Sequence, residues 1–278
     1  MRIALGLEYD GSAFAGWQAQ AHAQGVQSVV EAAVARVADH PVEVVAAGRT
    51  DAGVHAAMQV VHFDTTSVRS ARGWVLGTTT HLPPAVSVLW AREVPEAFHA
   101  RYSALARTYR YLILNRTVRP ALDHNRVCWI HAPLDHERMQ AGAMHLVGEH
   151  DFSSFRAAEC QSRTPMRRIY EIEVTRHGEY LEIRVMANAF LHHMVRNIAG
   201  VLIAVGTGER PVDWPREVLA ARDRRQGGVT APPGGLYLAG IRYAPALGLP
   251  SETGLPAAVG ARIDATSPRQ ASGAREIE

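Results

Sequence analysis

The spacing of apolar residues along this chain switches between two and about 3.6 in an order that runs twice, and few folds accommodate that order. Between residues 1 and 100, Ile3, Leu5 and Leu7 alternate as a strand, and Val26, Val29, Val30, Ala33 and Val37 then recur at helical spacing. Residues 42–47 and 58–63 read as strands around a glycine-bounded turn, residues 69–79 as a second helix and residues 86–94 as a closing strand. Between 101 and 248 the order repeats. A tyrosine-rich strand over 108–114 precedes a helix over 134–147. Tyr170, Ile172 and Val174, then Leu181, Ile183 and Val185, alternate with polar residues, which predicts a hairpin through His177 and Gly178 with one wet face. Met194, Ile198, Val201, Leu202 and Val205 form the stripe of a buried helix that Gly206 or Gly208 can end, and residues 236–243 close the unit. The prediction is an α+β protein of two ferredoxin-like (βαββαβ) halves, residues 1–100 and 101–248, joined into one mainly antiparallel sheet. Helices cover one face, and an active-site cleft between the halves opens on the other.

At 278 residues and 47% hydrophobic content, the chain can bury one large core or two smaller ones. The opening strand lacks the apolar region of a signal peptide, and no stretch reaches the roughly 18 apolar residues of a membrane span, so a cytoplasmic protein is expected. Residues 249–278 carry few large apolar side chains and no period, and are expected to be a disordered tail. Cys128 and Cys160 are too few for a disulfide framework and have no C-x-x-C partner. All 29 basic residues are arginine, which excludes a Walker-type phosphate loop and Schiff-base chemistry, since both need lysine. Net charge is only +2, but residues 96–130 hold six arginines (101, 107, 110, 116, 119 and 126) against Glu96 and Asp123, which predicts a local basic face suited to nucleic acid.

The glycine-bounded turn, GRTDAGVHA at 48–56, displays Asp51 at a strand end, either as a candidate nucleophile or as an ordinary turn former. Gly11, Gly16 and Trp17 make a second glycine-bracketed loop after the first strand. In NAFLHHMVRNIAG, His193, Arg196 and Asn197 fall at i, i+3 and i+4, one helix face away from the Met194 and Ile198 stripe. Arg196 is either a surface residue or a partner for Asp51, favouring its ionised form through a two-pronged hydrogen bond. Tyr109 and Tyr111 point to one side of their strand, as core packing or as a platform for an unpaired base. No metal is expected: the histidine pairs His55/His62 and His192/His193 lack an H-E-x-x-H context, and neighbours 192 and 193 should diverge around a helix. No second carboxylate accompanies Asp51 in these motifs, which argues against two-carboxylate glycosidase chemistry.

Taken in order, YDGSAFAGWQ, GRTDAGVHA, FHARYSALARTYRYLI, HDFSSF, CQSRTP, NAFLHHMVRNIAG and PPGGLYLAGIRY make the chain resemble the tRNA pseudouridine synthase A family over about residues 3 to 243. The resemblance implies a cofactor-free and metal-free homodimer that converts uridine to pseudouridine at positions 38, 39 and 40 of the tRNA anticodon stem-loop. It implies Asp51 as the catalytic aspartate and Arg196 as its partner. Tyr109 would stack on uracil, Arg49 would help hold the nucleotide out of the helix, and Leu236 would lie under the base. Two alternatives remain at this point: a catalytically silent tRNA-binding or chaperone protein, and an N-glycosidase that sheds uracil.

Overall fold

The computed structural model describes residues 1–18 and 23–251. The tail expected from residue 249 therefore lies almost wholly outside the described residues. Of its start, Leu249 packs against the core, and Ser251 carbonyl accepts from Ile241 N at 2.8 Å.

The first half runs β1 (Arg2–Tyr9), α1 (Val26–Ala38), β2 (Val45–Ala46), β3 (His55–Asp64), α2 (Ala71–His81) and β4 (Val86–Val94). Helix α1 buries Val26, Val30, Ala33, Val34 and Ala38 along one stripe, as its spacing requires. Helix α2 begins where the Ser70 hydroxyl accepts from Gly73 N, which satisfies one of the amides a helix start leaves unpaired. The second half runs β5 (Ala106–Asn115), β6 (Cys128–Ile130), α3 (His136–Ala143), β7 (Gly148–Asp151), β8 (Met166–His177), β9 (Tyr180–Ala187), α4 (Met194–Gly206), α5 (Trp214–Ala221) and β10 (Leu236–Arg242).

All strands join one sheet in the order β4-β1-β3-β10-β5-β9-β8-β7, with β2 on β3 and β6 on β5. In the first half the order is closing strand, first strand, third strand, with short β2 beside the third. The second half repeats it as β10-β5-β9-β8. The sheet is antiparallel except at β5/β6 and at the seam where β10 meets β3. That seam has two register pairs, Tyr237 with His55 and Leu238 with Ala56. Because the seam is parallel, the loops that enter β3 and β10 emerge side by side.

Three features depart from the sequence reading. Strand β2 is two residues long, and just before it Val44 N bonds the Glu31 side chain at 3.1 Å instead of a neighbouring strand. Helix α3 is shorter than 134–147: Asp135 caps it through Glu137 N and Arg138 N, and it tightens into a 3-10 turn over Met144–Leu146. The candidate site residues do not lie on the face opposite the helices, since Asp51 bonds Arg196 of α4. Along β5, Tyr109, Tyr111 and Ile113 share a core with Met194 and Ile198 of α4, whereas Leu112 and Leu114 pack in a separate cluster on the other face.

Candidate active site

The loop before β3 is fixed from three sides. Gln59, fully buried on β3, donates to Gly48 carbonyl at 2.6 Å. Tyr9 Oη and Thr50 Oγ1 share a hydrogen bond of 2.8 Å, Trp17 N donates to Thr50 carbonyl at 3.0 Å, and Gly53 N donates to Phe14 carbonyl at 3.3 Å. The glycine-bracketed loop is thus moulded against the aspartate loop. A Cβ on Gly16, whose φ is +96°, would lie 2.7 Å from Thr50 carbonyl, and one on Gly11 would lie 2.0 Å from Val54 carbonyl. Held this way, Asp51 presents a half-buried carboxylate, while Arg49 is exposed.

Facing the carboxylate is the first turn of α4. Arg196 Nη1 donates to Asp51 Oδ2 at 3.2 Å, and its Nε donates to Ala231 carbonyl at 2.8 Å. The bond to Asp51 is therefore single, not two-pronged, because the second prong fixes the loop before β10. Asn197 does not share this task. It is buried, donates to Phe155 carbonyl at 2.8 Å and accepts from Arg224 and Thr230.

The histidine pair overturns the expectation that neighbours 192 and 193 diverge. Both precede the helix, and His193 holds the left-handed conformation with φ 61°. His192 Nε2 comes to 3.3 Å from Asp51 Oδ1 and His193 Nε2 to 3.4 Å from Oδ2, with ring centroids 4.0 Å apart. Burial pushes the His193 imidazole below its ordinary pKa; the Asp51 charge opposes this, while His192 and Arg196 reinforce it. A helical pattern hides such convergence. The only sequence signal was a polar pair where the stripe of α4 begins.

Tyr109 lies on the helix-facing side of β5, its ring edge-on to Phe190 at 5.0 Å and 83°. Burial, then the charges of Tyr9 and Asp51, raises its phenol far above the usual range, so it stays protonated at neutral pH. Tyr111 is fully buried, and its hydroxyl donates to Pro232 carbonyl at 2.8 Å. Leu236 opens β10 opposite Tyr111 and is buried. Phe190, Tyr9 and Thr50 were not singled out by the sequence reading.

The basic run of 96–130 does not form one face. Arg107 is drawn inward to four carbonyls, those of Ala104, Asn188, Ala47 and Arg101. Arg110 pairs with Glu182, Arg116 with Glu179 and Arg126 with Asp10. Arg101 and Arg119 are exposed. Two surface recesses of about 620 Å³ each lie beside the Arg116/Glu179 and Arg2/Asp64 pairs, and neither contains a residue of the Asp51 cluster. The chemistry of the side chains, not void volume, marks the site.

A family model described as tRNA pseudouridine synthase matches residues 7–103 and 143–244. The chain is 59% identical over 249 residues to tRNA pseudouridine synthase A of Coxiella burnetii, covering 90% of this chain and 95% of that protein. It is 61% identical to the protein of that name from Methylococcus capsulatus, with coverage of 90% and 92%. The Legionella pneumophila protein of that name is 55% identical, with coverage of 90% and 95%.

Proposed function

The chain belongs to the tRNA pseudouridine synthase family, and from that premise we propose that it isomerises uridine to pseudouridine at positions 38, 39 and 40 of the tRNA anticodon stem-loop, with Asp51 as sole nucleophile. It is an isomerase acting on tRNA. The observation that carries the aspartate assignment is the half-buried Asp51 carboxylate, bonded to Arg196 at 3.2 Å beside the aromatic wall of Tyr109 and Phe190.

The reaction breaks the N1–C1′ bond, turns the base, forms a C5–C1′ bond and returns the C5 proton to solvent as N1 gains one. No electrons enter or leave, so the side chains must supply binding, orientation and a nucleophile. Taking the base out of its stack costs about a few kcal/mol, least near a loop, which suits an anticodon-arm target. Tyr109 offers an apolar ring for that base, Leu236 an apolar floor, and exposed Arg49 a cation for the displaced backbone. Asp51 then attacks C1′, adds to C6 or removes the C2′ proton, and each route starts from the same ionised oxygen. Arg196 holds that oxygen in place and balances its charge. Excluding water while the base turns keeps the bond from being hydrolysed.

The test is tritium release from C5-labelled tRNA uridines. Wild-type protein is expected to release tritium with no free uracil, and Asp51→Ala to release none. Release by Asp51→Ala at the wild-type rate removes the aspartate from the mechanism, tRNA binding without release by wild type favours a silent scaffold, and free uracil favours an N-glycosidase. This reading also places the enzyme in the cytoplasm as a homodimer, which light scattering in solution checks. Among the described residues no helix is long and apolar enough to cross a membrane.

A further inference from the structure

Three donor atoms of two kinds converge at this site: one oxygen of Asp51 and one ring nitrogen each of His192 and His193, all within 4.8 Å of one another. The two imidazole nitrogens stand 3.3 and 3.4 Å from the carboxylate oxygens. A charge-assisted N–H···O⁻ hydrogen bond closes to about 2.7–2.9 Å. An ion bound tetrahedrally at about 2.0–2.1 Å spaces its ligands by roughly 3.3–3.4 Å. Each separation is longer than such a hydrogen bond and near one edge of such a polyhedron; because they run to different oxygens, Oδ1 for His192 and Oδ2 for His193, the carboxylate must turn slightly to present one oxygen to an ion between the rings.

The backbone makes this possible. The left-handed residue at His193 turns its ring to the same side as that of His192, at a cost of about 1–2 kcal/mol for a non-glycine residue. The rings remain reachable, with side-chain exposures of 37% and 28%, so an ion can enter from solvent and water can complete its shell. Arg196 stays on Asp51 as an outer hydrogen-bond donor, which orients the carboxylate but lowers affinity by like charge.

We propose that Asp51, His192 and His193 form a binding site for a borderline-soft divalent cation of the Zn²⁺ class, and that occupancy switches the enzyme off by taking the oxygen the isomerisation needs. Two imidazoles with one carboxylate suit Zn²⁺, whereas Mg²⁺ takes oxygen ligands and keeps its waters. The binding stands on geometry alone; the inhibition rests on the proposed role of Asp51.

Zn²⁺ binding to the full chain without tRNA, followed by competition with a chromophoric chelator, tests the site. Wild type is expected to bind one equivalent that His192→Asn, His193→Asn and Asp51→Asn each weaken at least ~10-fold, with any weak binding at the other histidines unchanged. Affinity equal to wild type in all three variants overturns the site. X-ray absorption at the zinc edge on wild-type protein gives a readout that does not depend on variant folding: two imidazoles support the proposal, and an oxygen-only shell overturns it. For the inhibition, Zn²⁺ is expected to suppress tritium release with a midpoint matching its affinity, while equimolar Mg²⁺ does not. Full activity with the site filled overturns the inhibitory half, whereas the nucleophile assignment stands or falls on Asp51→Ala without zinc.

Discussion

At the scale of single residues, the arrangement assigns Arg196 two tasks through two nitrogens. Nη1 serves the carboxylate, and Nε ties α4 to the strand entering the seam through Ala231. Arg196→Met removes both, and because the partner is the proposed nucleophile and not a phosphate, turnover should fall on the order of 10²–10³-fold while tRNA affinity changes only a few-fold. Single-turnover kinetics beside filter binding separates the two, and a loss confined to affinity contradicts the assignment. Arg196→Lys keeps the charge but cannot reach both acceptors, so it should restore only part of the rate. The loop placement of Asp51 was legible in the sequence, from the glycines on both sides and the strand after it, whereas its catalytic role was implied by the family resemblance. The convergence of His192 and His193 was not, since it turns on one positive φ that no side-chain pattern encodes. Nor was the division of labour between Arg196 and Asn197, which helical spacing places on one face but which diverge to separate partners.

At the scale of elements, the pattern of apolar residues located β1, α1, β3, β4, β5, β8, β9, α4 and β10, because α1, β4 and β8 bury one face and carry a period while β3, β5 and β10 are buried on both faces and stand out as apolar runs. Strands β6 and β7 and helix α5 have three, four and eight residues, too few to establish a period, and the Trp214-Pro215 start of α5 resembles a break. The loop contact is tested by Gly16→Ala. Its Cβ meets the Thr50 carbonyl at 2.7 Å, so the aspartate loop must shift; a loss of ~1–3 kcal/mol and a clear fall in turnover are expected. Gly208→Ala is the control: its φ of +81° is also unfavourable but nothing lies within 4 Å, so urea unfolding should show ~1–2 kcal/mol lost with activity intact. Strand β3 also carries a pH response. Burial, followed by the charges of Arg2 and His99, pushes the His62 imidazole down to about 4, and its neutral Nδ1 accepts from Ala100 N at 3.1 Å. The unfolded chain takes up this proton first, so stability is complete above the ordinary histidine pKa and falls as pH drops from there to about 4. The loss is roughly 3 kcal/mol. His62→Asn should flatten denaturation midpoints over that window, and an unchanged slope refutes the attribution.

At the scale of the whole molecule, the candidate site draws on both halves, since Asp51 comes from one and Tyr109, Arg196 and Leu236 come from the other. A parallel seam of two register pairs contributes few backbone bonds, and the halves are joined further by one continuous apolar core and by side-chain bonds across the seam. Arg107 reaches across to Ala47 carbonyl at 3.1 Å, Tyr243 hydroxyl donates to Ala100 carbonyl at 2.7 Å, and His55 Nε2 meets Asn125 carbonyl at 2.8 Å. Read from sequence, Arg107 belonged to a nucleic-acid patch; folded, it is an internal clasp whose burial lowers its pKa. The six arginines of that run therefore divide by what they already hold. Each phosphate neutralised adds roughly 0.7–0.9 to the slope of log affinity against log salt. Exposed Arg101 and Arg119 should each reduce that slope when changed to serine, with stability unaffected. Arg107→Met should leave the slope unchanged and lower stability by about 1–3 kcal/mol, since it removes bonds to carbonyls on both sides of the seam, of which that of Ala47 is part-buried. tRNA binding from low to moderate salt, beside urea unfolding of the same variants, distinguishes the two groups. A smaller slope for Arg107→Met at wild-type stability would make it a phosphate contact after all, and the docking of the halves would need another clasp.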